Sequence, residues 1–181
     1  MNRITPEVLR QAHAQCRGMP VYPDPNFPPS LYYRFFEGVA RLAQPDFSVE
    51  LGTCGGGASL HLAKGCPSSR VTSFDLTREP TVQIVERTFD NFRFIQMDVV
   101  EGAILFDNGS VGVLFVDTTH TYEQTIKEHA AWHPKMVSGG VIFFDDLGRE
   151  GMWPALRKIG GEQIHFSDLG GDGGMVAILI P

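Results

Sequence analysis

The sequence predicts an α/β fold, a largely parallel sheet doubly wound with helices and closed by an antiparallel hairpin. Three observations predict it. From residue 47 onward, short apolar runs alternate with amphipathic stretches, the order that builds a wound sheet. Each apolar run lacks the two-residue alternation of a half-exposed strand, as expected where both faces are covered. The last two runs, "EQIHFSD" and "GMVAILI", are separated only by "LGGDGG", and so short a turn joins antiparallel neighbours.

Taken in order, Thr5 and Pro6 are an N-cap and first helical position, opening a helix that stops near Gly18. The proline-rich "GMPVYPDPNFPPS" (18–30) reads as an extended loop. Ser30 then caps a helix with the apolar stripe Leu31, Phe35, Val39 and Leu42. Strands are expected at about 47–51, 70–75, 92–97, 112–116 and 139–144, with helices at roughly 57–65, 79–89 and 121–133 and a looser segment near 100–107. Gly65 and Pro67 end the first of these helices. Thr121 with Gln124 forms a capping box for the third, and Pro134 closes it. A short helix near 151–158 precedes the hairpin. The expected division is 1–46, an N-terminal helical and proline-rich segment, and 47–181, the wound sheet, in one compact whole.

At 181 residues the chain suits one domain burying roughly 70% of its unfolded surface. A formal charge of -6 with no Lys/Arg run argues against nucleic acid or an anionic membrane as partner. Cys16, Cys54 and Cys66 lack metal-ligand spacing, and no leader-like or membrane-length apolar run is present. The expectation is a reducing cytoplasm.

The chemistry concentrates in "SVELGTCGGGASL" (48–60), the turn from the first strand to the first wound helix. In open parallel sheets that turn meets a ligand most closely. Glycine lets the backbone approach, and the helix N-terminus offers unpaired N–H groups. A dinucleotide fingerprint would need glycine where Cys54 stands, and Glu50 precedes the first glycine. An acid there suits a ligand with a cationic amine better than a polyphosphate, and methionine-derived sulfonium cofactors carry such an amine. Asp75 ends the second strand at the distance from Gly52 where an acid bonds both ribose hydroxyls of an adenosine. Asp98 ends the third strand and could reach an adenine amino group, or cap the next segment.

With "VELGTCGGGAS" as cofactor loop, "FDL" as ribose acid and the closing hairpin, residues 47–181 resemble the class I S-adenosylmethionine-dependent methyltransferases. The block "LFVDTTHTYEQTIKEHAAWHPKMVSGGVIFFDDL" followed by "GMWPAL" resembles the small-molecule O-methyltransferases that act on sugars and macrolides, a subfamily that includes a cephalosporin hydroxylase component. The resemblance implies a Rossmann-like sheet of order 3-2-1-4-5-7-6, with S-adenosylmethionine on Glu50, Gly52, Thr53, Gly56, Asp75, Asp98 and Asp117. It implies Mg²⁺ on Asp117, Asp145 and Asp146. Three hard carboxylates at adjacent strand ends suit octahedral Mg²⁺ and a substrate's vicinal hydroxyls; capping by Asp117 and Asp145 is the alternative. Where relatives have Asp-Gly-Asp-His, this chain has Asp117-Thr118-Thr119-His120. Some relatives use the second Asp as a base. His120 is then the candidate base, with a structural histidine as the competing reading.

The implied activity is Mg²⁺-assisted O-methylation of a small-molecule hydroxyl. A metal-independent O- or N-methyltransferase and a non-catalytic S-adenosylmethionine-binding module stay open as alternatives. Tyr22, Phe27, Tyr32 and Tyr33 lie where such enzymes carry a lid, and a homo-oligomeric partner could complete so small a pocket. His129 and His133 have zinc-like spacing but no third ligand. Cys54 reads as a space-filler, His61 as a packing residue, and Trp132 and Ile126 as core.

Overall fold

A computed structural model describes residues 1–18 and 31–181. Most of the proline-rich stretch, with the Ser30 cap, Tyr22 and Phe27, lies outside the described residues. Helix α1 (Pro6–Gly18) packs on α2 (Leu31–Ala43), and α2 packs on α3 (Gly57–Gly65). The remaining helices are α4 (Pro80–Thr88), α5 (Tyr122–Trp132) and α6 (Met152–Ile159). The strands are β1 (Phe47–Leu51), β2 (Arg70–Asp75), β3 (Phe92–Gln96), β4 (Val111–Val116), β5 (Met136–Phe144), β6 (Glu162–Phe166) and β7 (Met175–Leu179).

They form one seven-stranded sheet of order β3-β2-β1-β4-β5-β7-β6. The first five strands run parallel, and β7 lies antiparallel to both β5 and β6. The chain builds outward from β1 to β3 and then returns to place β4 on the other side of β1. That reversal opens a crevice at the carboxyl ends of β1 and β4.

Two cores sandwich the sheet. On one face Phe35 and Phe36 of α2 pack on Phe115 and Phe143; on the other, Trp132 and Leu156 join Leu51, Leu114 and Phe144. Each fully buried side chain of this size contributes about 1.5–3 kcal/mol. The expected stripe on α2 is realised at Phe35 and Val39, while Phe36, Ala40 and Ala43 are also buried and Leu31 and Leu42 only partly so. Ile126 is partly buried. No described helix is long and apolar enough to cross a membrane.

Two expectations need correction. Strand β5 starts at Met136, ahead of the expected 139, because an irregularity in the β4–β5 pairing between Val111 and Val113 absorbs the extra residues. The strands are not all covered on both faces. Alternation returns in β3, where Arg93 and Gln96 are exposed, and in β6, where Glu162 and His165 are. Both are edge strands, and the β3-to-β4 connection contains only a single 3-10 turn, Glu101–Leu105, in place of a covering helix.

The capping at α5 is as expected: the Gln124 N–H donates to the Thr121 side chain at 3.3 Å. Thr121→Ala should therefore lower stability by about 1 kcal/mol, measurable as a shift in urea midpoint with unchanged slope.

Candidate cofactor and metal site

The glycine turn leaves β1 at a point where no side chain fits. Gly52 has φ +85°, its N–H donates to the Phe74 carbonyl at 2.9 Å, and a Cβ there would collide with the Asp117 carbonyl oxygen. Asp117 in turn donates its N–H to the Leu51 carbonyl at 2.9 Å. The turns after β1 and β4 thus touch through their backbones. The loop continues through Cys54, which is left-handed at φ +44° although it is not glycine, and Gly56 at φ +83°. The Cys54 N–H donates to Asp75 Oδ2 at 3.1 Å, so the expected ribose acid reaches across from β2 to brace the loop. Its other oxygen accepts the Thr77 N–H at 3.1 Å. Cys54 itself is exposed, so it does not fill space as the sequence suggested.

Glu50 sits beneath this turn, 2% exposed. It accepts hydrogen bonds from the Ser59 hydroxyl and backbone N–H in the first turn of α3. An acid from the strand therefore caps the helix that follows it. Burial pushes its pKa up to about 8, against the lowering effect of Ser59 and with the help of nearby Asp117 and Asp75. Above it, Thr53 is buried and its hydroxyl has no partner among the described residues. A buried polar atom without a partner is uncommon, and here it lies in the turn expected to face a ligand. Asp98 accepts the N–H groups of Val100 and Glu101 at 2.8 and 3.2 Å through Oδ1, the capping role weighed for it; no described bond engages Oδ2. The loop, its orphaned hydroxyl and the acids at two further strand ends fit an adenosyl cofactor with a cationic amine.

Beside the loop, acids from β4 and β5 converge. Single ligand atoms of Asp117, His120 and Asp146 lie within 4.8 Å of one another. His120 Nε2 is 3.2 Å from Asp117 Oδ1 and 3.5 Å from Asp146 Oδ2. A left-handed backbone at both His120 and Asp146, φ +55° each, turns these side chains inward. Burial alone would lower the His120 pKa, but the Asp117 hydrogen bond and the charges of Asp117, Asp146 and Asp145 outweigh it and raise it. Asp145, 2% exposed, turns aside: its Oδ1 accepts the Gly171 N–H at 2.8 Å. Burial, then the charge of Asp117, pushes Asp145 up to about 6. The grouping is therefore two carboxylates with an imidazole, and Asp145 stands behind it. The two carboxylates at this spacing fit a divalent cation, with the His120 imidazole beside them.

Sequence reasoning missed what holds these acids. Asp146 Oδ1 accepts the Asp172 N–H at 2.6 Å, so adjacent carboxylates are clamped by adjacent amides of the 167–174 turn. A Cβ at Gly170 or Gly171 would strike Asp145 or Asp146. The glycines in "LGGDGG" were the signal, read only as a turn. Also missed was Glu128 of α5, fully buried, which accepts from the Thr118 hydroxyl at 2.7 Å and from Gln124 Nε2 at 2.9 Å. One helical turn on, Trp132 Nε1 donates to the Val99 carbonyl at 2.7 Å, so one face of α5 steadies the loops after β3 and β4. Tyr32 and Tyr33 pack together at 4.3 Å between centroids, and the Tyr33 ring covers bare Gly57 at the start of α3. His61 is more than packing: its Nδ1 lies 3.1 Å from Glu37, and it stacks on Tyr33. His129 and His133 lie with rings 4.9 Å apart, and no third ligand joins them among the described residues.

A family model described as a methyltransferase domain matches residues 49–147, from within β1 to just beyond β5. No curated protein matches the chain in sequence. Among solved structures, the chain is similar to cofactor-bound Rv0187 from MTB, at 18% identity and TM-score 0.69 over 97% of this chain and 90% of that one. It is similar to TomG of Streptomyces achromogenes, an O-methyltransferase involved in tomaymycin synthesis and solved with SAM, at 18% identity and TM-score 0.68 over 99% and 92%. A third is apo CalS11, a TDP-rhamnose 3'-O-methyltransferase of calicheamicin biosynthesis, at 16% identity and TM-score 0.62 over 97% and 95%. At these identities the structural likeness is one of fold.

Proposed function

The chain belongs to the methyltransferase domain family and carries the fold of the class I O-methyltransferases; on that premise we propose that it methylates a hydroxyl of a small molecule from S-adenosylmethionine, with a divalent cation assisting. The observation that carries the reading is the bare turn 52–57 at the sheet's switch point, with the partnerless Thr53 hydroxyl buried in it. Gly52, Thr53 and Gly56 would admit the cofactor, Asp75 and Asp98 would bond its nucleoside, and Glu50 would sit beneath its charged end. When bound, S-adenosylmethionine supplies an electrophilic methyl group, and Mg²⁺ or a similar ion lowers the pKa of a coordinated hydroxyl.

The chain's own contribution is alignment and proton handling. Asp117 and Asp146 would hold the cation beside the loop, with Asp145 behind them. With those carboxylates neutralised, His120 loses the charges that favour its protonated form, and its Nε2 can take the acceptor's proton. Tyr32 and Tyr33 wall the near side and exclude water. The 18–30 stretch as lid and a small, flat or sugar-like acceptor belong to the same proposal.

Calorimetric titration with S-adenosylhomocysteine, with and without Mg²⁺ and with NADH as control, tests the cofactor. Heat with the first and none with NADH is expected; silence would sink the reading. For the metal, Asp146→Ala should cut Mg²⁺-stimulated turnover by more than about 100-fold, beyond an outer-shell effect, while S-adenosylhomocysteine affinity stays nearly unchanged. Equal loss of both would count against the assignment. One observation favours a second, metal-independent reading: His120, when protonated, already satisfies Asp117 and Asp146. Full activity in excess EDTA would select it. Binding without turnover on any acceptor would leave the non-catalytic module.

A further inference from the structure

At the opposite end of the sheet from the glycine turn lies a groove of about 530 Å³. It exists because the β3-to-β4 connection is so short. A parallel crossover normally lays a helix over the sheet face it spans, and here one 3-10 turn, Glu101–Leu105, takes that place. Strand register puts Phe47, Arg70, Thr72, Arg93 and Ile95 on one face, and all of them line the groove at the amino ends of β1, β2 and β3, with Phe106 as its wall. The face mixes apolar Phe47 and Ile95 with cationic Arg70 and Arg93. Arg70 lies over the Phe47 ring at 4.3 Å, and among the described residues neither Arg70 nor Arg93 forms an ion pair.

The ridge beside the groove has the opposite character. Ile104 is 83% exposed and Leu105 53% exposed at the crest of the 3-10 turn. Glu101 and Asp107 flank them, both exposed and without an ion pair among the described residues. Adjacent exposed aliphatic side chains beside an open cleft are a marker of interaction surfaces. A basic, apolar groove and an acidic, apolar ridge side by side on one edge make a patch complementary to itself, the requirement of a two-fold, isologous contact.

We propose that this edge is a homodimer interface, in which the Ile104 ridge of each copy enters the groove of the other. Glu101 and Asp107 then face Arg70 and Arg93 across the axis, and the missing crossover helix is replaced by the second subunit. Asp90, on the groove's rim, opposes the ridge acids and leaves the two arginines to set the attraction. The contact is remote from the glycine turn and independent of the methyl-transfer reading.

Sedimentation equilibrium of the full chain, over a concentration series at low and high salt, tests it. A dimer that weakens with salt is expected. Ile104→Arg should weaken association at least about tenfold, the loss typical of a central anchor, with an unchanged circular dichroism spectrum since the side chain is exposed. Arg93→Glu, tested separately, should weaken it as well. A monomer at every concentration would overturn the proposal, as would a dimer whose affinity is untouched by Ile104→Arg.

Discussion

Gly52→Ala is expected to be the most damaging single substitution in the site, removing several kcal/mol of stability and all measurable cofactor binding. Two costs combine. The position is held at φ +85°, where a Cβ adds about 1–2 kcal/mol of backbone strain. The larger cost is steric, because the new methyl group would strike the Asp117 carbonyl oxygen, and that backbone is pinned by its own bond to Leu51. Relief requires the turns after β1 and β4 to separate, which breaks the contact between the glycine loop and Asp117. Thermal denaturation and S-adenosylhomocysteine titration would read the two losses together. An alanine variant with wild-type melting and affinity would show that the loop is pliable and that Gly52 is not needed. Gly109→Ala, at a similar φ of +68° but in open space, is the control: strain alone should cost it far less.

Cofactor uptake is expected to expel about one proton per chain near neutral pH. Glu50, buried and raised to about 8, holds its proton in the free protein. A cation bound on the loop above it favours the carboxylate, and the proton leaves. Titrations of S-adenosylhomocysteine in two buffers of different ionisation enthalpy should give heats that differ by that proton. Glu50→Gln, which keeps the shape and the carbonyl acceptor for Ser59, should bind with no buffer dependence. Identical wild-type heats in both buffers would sink the idea. The same shift has a sign for stability: a carboxyl raised in the fold contributes most below its ordinary value of 4.5 and loses that contribution as pH climbs through about 8. Asp145, raised to about 6, and His120, raised above its usual value, act in the same direction. His129, lowered to about 4 by burial, opposes them up to its ordinary 6.5, so the ligand-free protein should melt at progressively lower temperature as pH rises from about 6.5 to about 8, and bound cofactor should flatten that slope.

Much of the architecture was legible because it rests on local signals. Periodicity placed the strands and helices, Thr121 and Gln124 announced a cap, and the short glycine turn dictated an antiparallel ending. The glycine loop and Asp75 were placed by the same pattern, since each sits at a strand end that it locates, while Asp117 came from the family resemblance. What stayed hidden depends on long-range partners. Nothing near Glu50 in sequence says that Ser59 will face it, and nothing near Asp145 and Asp146 says that amides 26 residues later will hold them. His120 was legible as a candidate base, but its place between two carboxylates required the turn geometry at φ +55°. The exposed face of β3 stays hidden in the sequence because apolar content alone does not distinguish burial on one side from burial on both.

The stretch 170–173 would ordinarily be the first place to splice in a peptide or shuffle residues, being a glycine-rich, partly exposed turn. Its amides grip Asp145 and Asp146, while Asp168 just before it is ion-paired to His13 and Arg17 of α1. A library made there would disturb the Asp145–Asp146 pair and the seat of the N-terminal helix at once. The 107–109 turn, where a side chain at Gly109 meets open space, is a better graft point, though grafting there would disturb the ridge of the proposed dimer.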